Sequence, residues 1–114
     1  MDTLSRADRL LEGLEETLTR ADVMRALETG IPLKHYIGFE VSGQPHIGAA
    51  LKTMYHISRF QKGGAKCSIF LADWHSWIND KLGGDKAAIS RVAKGYFKEC
   101  FIAAGKVAKV DPDH

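Results

Sequence analysis

Residues 36–48 read YIGFEVSGQPHIG, and within them Ser42, Gly43, His46 and Gly48 stand where an apolar, β-rich run gives way to a helical pattern. Ser42 supplies a hydroxyl. Gly43 can adopt φ > 0 and lets the backbone come close to a ligand, while Pro45 suits the first turn of a helix. His46 adds an imidazole donor at that turn, and Gly48 removes a side chain that would crowd it. A helix N-terminus behind these residues contributes unpaired N–H groups and a partial positive charge. Together they suit the phosphates of a nucleotide.

A second group lies at the end of the next β-rich run, in IFLADWHSWINDK, where Phe70, Ala72 and His75 follow one another. Tyr36, upstream on the first run, faces the same region if the two runs are neighbours. Singly, each residue has a plain structural reading: Tyr36 as a core or edge aromatic, Ser42 as a helix cap, His46 as an exposed first-turn residue and His75 as a loop residue beside Trp74 and Trp77. Core packing gives no reason to gather them at two neighbouring strand ends, which is where ligands sit in open α/β sheets. Neither GxGxxG after a strand nor GxxxxGK[ST] is present, which counts against a dinucleotide oxidoreductase and a P-loop NTPase.

The elements that must position these residues follow from periodicity. Leu4, Ala7, Leu11, Leu14 and Leu18 recur every three or four residues and predict an amphipathic helix, capped by Thr3 or Ser5. Thr19 as N-cap, Val23, Met24 and Leu27 predict a second, ended by Gly30 and Pro32. Residues 35–41 predict a strand. A helix of about four turns follows, with Ile47, Leu51, Met54 and Ile57 on one side and Gly63-Gly64 as its stop. Residues 67–71 predict the next strand, completing a unit of βαβ size. From Asp85 a further helix carries Ile89, Val92, Ala93, Tyr96, Phe97 and Cys100, with Gly105 closing it, and KVAKV at 106–110 predicts a third strand. The expectation is an α/β fold: two N-terminal helices over residues 1–32, then a parallel β-α-β-α-β sheet over 33–114. That is half of a doubly wound sheet, as a fragment or with its edge covered by something else.

Composition narrows the partners. A chain of 114 residues, 45% hydrophobic and 26% charged, suits one globular domain with one core. Its net charge of +2, from 16 basic and 14 acidic residues without blocks, makes no electrostatic case for nucleic acid. Cys67 and Cys100 lie far apart in apolar patterns and fit reduced thiols, and no Cys/His spacing predicts a bound metal. The N-terminus is acidic and amphipathic, unlike a signal peptide, and no stretch approaches the ~20 apolar residues of a membrane span. The cytoplasm is the expected compartment.

SGxxHIG between a strand and a helix resembles the class I aminoacyl-tRNA synthetases, whose signature at this turn is His-Ile-Gly-His; here it is His46-Ile47-Gly48-Ala49. YIGFEVSGQPHIG and IFLADWHSWINDK are similar to the first strand and turn and the second strand and loop of the archaeal and eukaryotic tyrosyl-tRNA synthetases. The helix RVAKGYFKECFIAAG fits as well, so the similarity runs over about residues 20–110. The tryptophanyl enzymes share the architecture, but GFEVSG looks like the tyrosyl version.

The resemblance implies a Rossmann-like (HUP-type) catalytic half-domain that binds ATP, with its Mg2+, and L-tyrosine. By it, Ser42, Gly43, His46 and Gly48 hold the ATP phosphates, with Ser42 and His46 acting in catalysis and His46 stabilising charge at the α-phosphorus or on pyrophosphate. Tyr36 bonds the substrate phenol; Gly38, Phe39 and Glu40 line the cleft; Phe70, Ala72 and His75 wall the tyrosine pocket. It also implies tRNA as a partner and a homodimer for the full-length enzyme. Ala49 departs from the usual His or Asn, removing one polar contact, and Val41 stands where proline is common. The second half of the site, the Lys-Met-Ser-Lys-Ser-type loop and the anticodon-binding domain of such enzymes have no counterpart in these residues. The alternatives are a catalytically incomplete ATP-binding module and a tryptophanyl-type fragment.

Overall fold

A computed structural model describes residues 2–113. Asp2 opens the first helix: its carboxylate accepts from the Ser5 N–H at 2.8 Å and from the Ser5 hydroxyl at 2.9 Å. Asp2 rather than Thr3 or Ser5 is therefore the cap, and α1 spans Thr3–Leu11. The apolar spacing through Leu14 and Leu18 does not prolong it, because Gly13 turns the chain at φ +76° and Leu18 is left 86% exposed. α2 (Arg20–Glu28) starts as predicted, on a Thr19 hydroxyl that accepts from the Asp22 N–H. Ala7, Leu10 and Leu27 join Ala65 in a small core beneath the pair.

β1 (Lys34–Glu40), α3 (Ile47–Lys62) and β2 (Lys66–Ala72) form the expected βαβ unit, with the strands parallel from Lys34 opposite Lys66 to Glu40 opposite Ala72. Strand side chains alternate between faces. Phe39, Cys67, Ile69 and Leu71 therefore pack inward, onto a core of Val41, Ala50, Met54, Ile57, Ile89, Phe97 and Phe101. Tyr36, Gly38, Glu40, Ser68, Phe70 and Ala72 take the other face. Of the predicted inner row on α3, Met54 and Ile57 are buried, whereas Ile47 is exposed and Ala50 takes the first-turn place in the core. Gly63 ends α3 under α1, so close that a Cβ there would stand 2.5 Å from Leu10 Cγ.

α4 (Asp73–Ile78) follows β2 directly, and a 3-10 turn (Lys81–Gly84) leads to α5 (Lys86–Val92), which starts where predicted, with Asp85 as its cap. A π-helical turn (Ala93–Phe97) then joins α5 to α6 (Lys98–Ala108). The wider π turn shifts the helical phase, which turns Tyr96 outward while Phe97 and Phe101 stay buried.

Two expectations fail at the C-terminal end. Gly105 does not close the helix but is buried within α6, and KVAKV is not a third strand: α6 continues to Ala108, and Lys109 ends it at φ 58°. Local β-propensity is overridden by packing, since Ala104, Gly105 and Ala108 form one small-residue face against the core and Gly105 lies beside Met54. The fold is α/β, with a two-stranded sheet among the described residues instead of three strands. No helix among them is long and apolar enough to cross a membrane.

Candidate active site

The junction after β1 is built around His46, which is itself the N-cap of α3: its Nδ1 accepts from the Gly48 N–H at 3.1 Å. A ring nitrogen that accepts carries no proton, so this arrangement leaves the N–H on Nε2, the nitrogen facing away from the helix. His46 and Ser42 are exposed. The glycine at 48 has a more specific role than clearing the helix start, because a Cβ there would stand 3.0 Å from His46 Nδ1 and 3.1 Å from its Cε1. Gly48 makes room for the imidazole to cap. Gly43 adopts φ +137°, a conformation that favours glycine, and nothing lies within 4 Å of where its side chain would be.

Ser76 anchors the junction from below. Fully buried, its hydroxyl donates to the Ala72 carbonyl at 2.6 Å and accepts from the Val41 N–H at 2.6 Å. One hydroxyl thus ties the end of β1 to the end of β2 and satisfies a backbone N–H that no strand partner reaches. The sequence offered a signal for it, a serine one helical turn after a strand end, but the pairing with Val41 needs the fold.

Beside this anchor, Glu40 collects three partners from the segment after β2. Asn79 Nδ2 donates to its Oε1, Lys81 Nζ lies 3.5 Å from Oε2 and His75 Nε2 lies 3.6 Å from Oε1. The Asn79 hydrogen bond, with smaller help from Lys81 and His75, lowers the Glu40 pKa from the usual 4.5. Asn79 and Lys81 were not singled out in the sequence. Their signal was the polar run INDK immediately after an aromatic one.

The structure brings Glu40, Ala72 and His75 together at the strand ends and sets Tyr36, Gly38 and Phe70 in a row along the same sheet face. Tyr36 is four residues back from Glu40, roughly 13 Å along the strand, and lines a surface hollow of about 410 Å³ with Lys34, Lys66 and Ser68. This face is open, with Tyr36 79% and Phe70 59% exposed. Phe39 departs from its expected place at the cleft. Strand alternation turns it to the opposite face, where its ring packs at a tilt against Phe101, with centroids 4.7 Å apart. Trp74 and Trp77 hold the Lys86 ammonium at 4.2 and 3.9 Å from their ring centroids. Among the described residues no group of three or more His, Cys, Asp or Glu is placed to hold a metal ion.

Residues 28–108 match the family model of the class I tRNA synthetases (W and Y). The chain belongs to this family. Within it, the chain is 54% identical over 99 residues to a tyrosine–tRNA ligase of Thermococcus sibiricus, covering 87% of this chain and 26% of the relative. It is 44% identical over 114 residues to that of Pyrobaculum arsenaticum, covering 99% and 31%. A crystal structure of tyrosyl-tRNA synthetase from Pyrococcus horikoshii, complexed with L-tyrosine, superposes with a TM-score of 0.93 at 47% identity, over 99% of this chain and 31% of that one. A Leishmania major tyrosyl-tRNA synthetase in complex with tyrosinol gives 0.84 at 30% identity, over 92% and 16%. This class I synthetase chain therefore spans about a quarter to a third of the length of the curated relatives it matches.

Proposed function

We propose that residues 33–114 are the first half of a Rossmann-like (HUP-type) tyrosine–tRNA ligase catalytic domain, with residues 1–32 a helical segment packed beneath it. The observation that carries this reading is the His46 cap, which leaves an Nε2–H and, beside the occupied Gly48 N–H, the other N–H groups of the first turn of α3 at a strand end. That is a donor set for the phosphates of ATP, bound with its Mg2+ as substrate. High identity to tyrosine–tRNA ligases supports the choice of amino acid.

In this reading a tyrosine carboxylate oxygen attacks the α-phosphorus of ATP in line. The new O–P bond forms as the bond to the β-phosphate breaks, giving tyrosyl-adenylate and pyrophosphate. His46 Nε2–H and the Ser42 hydroxyl stabilise the charge that builds on the phosphate oxygens, and Gly43 and Gly48 keep the backbone close and the imidazole in place. Glu40, held by Asn79 and Lys81, and His75 with Ala72 face the amino-acid end; Tyr36, Gly38 and Phe70 line the floor on which the substrate ring lies. Phe39 supports this floor from the core. A hydroxyl of the terminal ribose of tRNA then attacks the tyrosyl carbonyl, forming the ester as the bond to the phosphate breaks and AMP leaves, and the complete enzyme works as a cytoplasmic homodimer.

A second reading, an ATP-binding module that does not activate amino acids, is favoured by the open sheet face. Measuring Mg-ATP binding and tyrosine-dependent ATP–pyrophosphate exchange on the purified chain separates the two. Exchange with tyrosine supports the ligase, exchange with tryptophan alone moves the assignment to the tryptophanyl type, and ATP binding without exchange supports the module. Absence of ATP binding refutes both.

A further inference from the structure

Lys86, the first residue of α5, makes an arrangement that the strand-end site does not require. Its ammonium lies 4.2 Å from the centroid of the Trp74 ring and 3.9 Å from that of Trp77. The two indoles are one helical turn apart on α4 and meet edge to face, 6.1 Å and 86° apart. They wall a cleft of about 190 Å³ with Asp73, Ile89 and Ser90. A cation over two tryptophan faces is attracted by both ring quadrupoles, and tryptophan is the most favourable aromatic for this.

What the clamp closes is a short loop. Residues 79–85 join α4 to α5, and Asp80, Leu82, Gly83 and Gly84 all have positive φ, between 51° and 69°. Asp80 and Leu82 are L-residues in the left-handed region, a conformation that is unfavourable for residues with a Cβ and persists only where the surroundings impose it. The loop is fastened at both ends. Asn79 and Lys81 hold Glu40 at one end, beside His75 of α4; Lys86 is seated between the indoles at the other, with Asp73 alongside. Within it the Asp80 carboxylate lies where a Gly84 side chain would stand, 2.5 Å from that position, so the two ends are in contact through a compact turn.

We propose that Lys86 is a positioning residue: clamped between Trp74 and Trp77, its ammonium holds the loop 79–85 in its left-handed turn and thereby places Asn79 and Lys81 on Glu40. The clamp does not depend on what the strand-end site binds, although its consequence for a substrate rests on the function proposed above.

The test uses Lys86→Met, which keeps the aliphatic length and removes the charge, Lys86→Arg, which keeps a cation for the indoles, and Trp74→Leu, which removes one exposed ring. The Glu40 carboxyl is titrated by carbon NMR in each, without ATP or tyrosine, together with tryptophan emission. The expected result is an upward shift of the Glu40 midpoint toward the ordinary glutamate value in Lys86→Met and Trp74→Leu. Indole emission shifts in the same two variants, and the parent midpoint is retained in Lys86→Arg. A Glu40 midpoint that stays put in folded Lys86→Met, or Lys86→Arg behaving like Lys86→Met, overturns the proposal. Should Lys86→Met not fold, Trp74→Leu decides by the same criterion. Mg-ATP binding, measured separately, reports on the phosphate site.

Discussion

The Nδ1 of His46 accepts a hydrogen bond from the N–H of Gly48 at 3.1 Å, and the imidazole occupies the space that a side chain at 48 would need. Capping thus falls to one nitrogen of the ring, and the phosphate contact proposed above to the other. His46→Asn keeps a good N-cap and removes the imidazole donor; the expected outcome is an unchanged melting temperature with loss of exchange or ATP affinity by about 10²-fold or more. Gly48→Ala should be near-neutral in stability, because better helix propensity offsets the disturbed cap at about 1 kcal/mol each. It should nevertheless weaken ATP binding. Paired thermal melts and calorimetric titrations check both, and a large stability loss in His46→Asn with full ATP affinity would show the ring to be a cap alone.

His35 and His56 make stability depend on pH. The half-buried ring of His35 lies 4.6 Å from Phe60, and its Nδ1 is buried without a partner among the described residues. Burial, then the neighbouring His56, lowers the His35 pKa below 6.5; burial, then Arg59 and Lys52, lowers that of His56. Since the unfolded chain takes up these protons more readily, stability is full above about pH 6.5 and falls as pH drops from there toward the folded-state values. His35→Phe keeps the ring contact and removes the unpartnered nitrogen. It should raise stability by about 1 kcal/mol and flatten the melting temperature between pH 5 and 7, with thermal melts across that range as the measurement.

Two glycines of α3 and α6 should respond oppositely to alanine. At Gly63 a new Cβ would meet Leu10 Cγ at 2.5 Å, so Gly63→Ala should push α1 off α3 and cost about 1–3 kcal/mol. At Gly105 the nearest atom, Met54 Sδ, lies at an ordinary 3.6 Å, and the residue is within α6. Gly105→Ala should therefore gain up to about 1 kcal/mol from helix propensity. Urea unfolding of both variants gives the comparison.

Much of the architecture was legible in local signals. Thr19, Asp85 and Gly63-Gly64 marked helix ends because capping and glycine chemistry act within a few residues. The strands, and the turn between the first strand and α3, were legible from apolar runs bounded by Ser-Gly and Gly-Gly. The family was legible from SGQPHIG and IFLADWHSWINDK. What misled was pattern without context: Leu14 and Leu18 kept the helical spacing past a glycine that turns the chain, and KVAKV carried strand character into a helix that the core extends.

The sequence by itself determined the βαβ unit and the gathering of Ser42, Gly43, His46 and Gly48 at one turn, since both follow from residue types acting on their own neighbours. Only the tertiary structure decided the rest, because contacts between residues far apart in the chain leave no local period. Ser76 was joined to Val41, Asn79 and Lys81 to Glu40, and Lys86 to two indoles in this way. The parallel register set which strand residues share a face, and so placed Phe39 in the core while Tyr36 and Glu40 stayed on the open side.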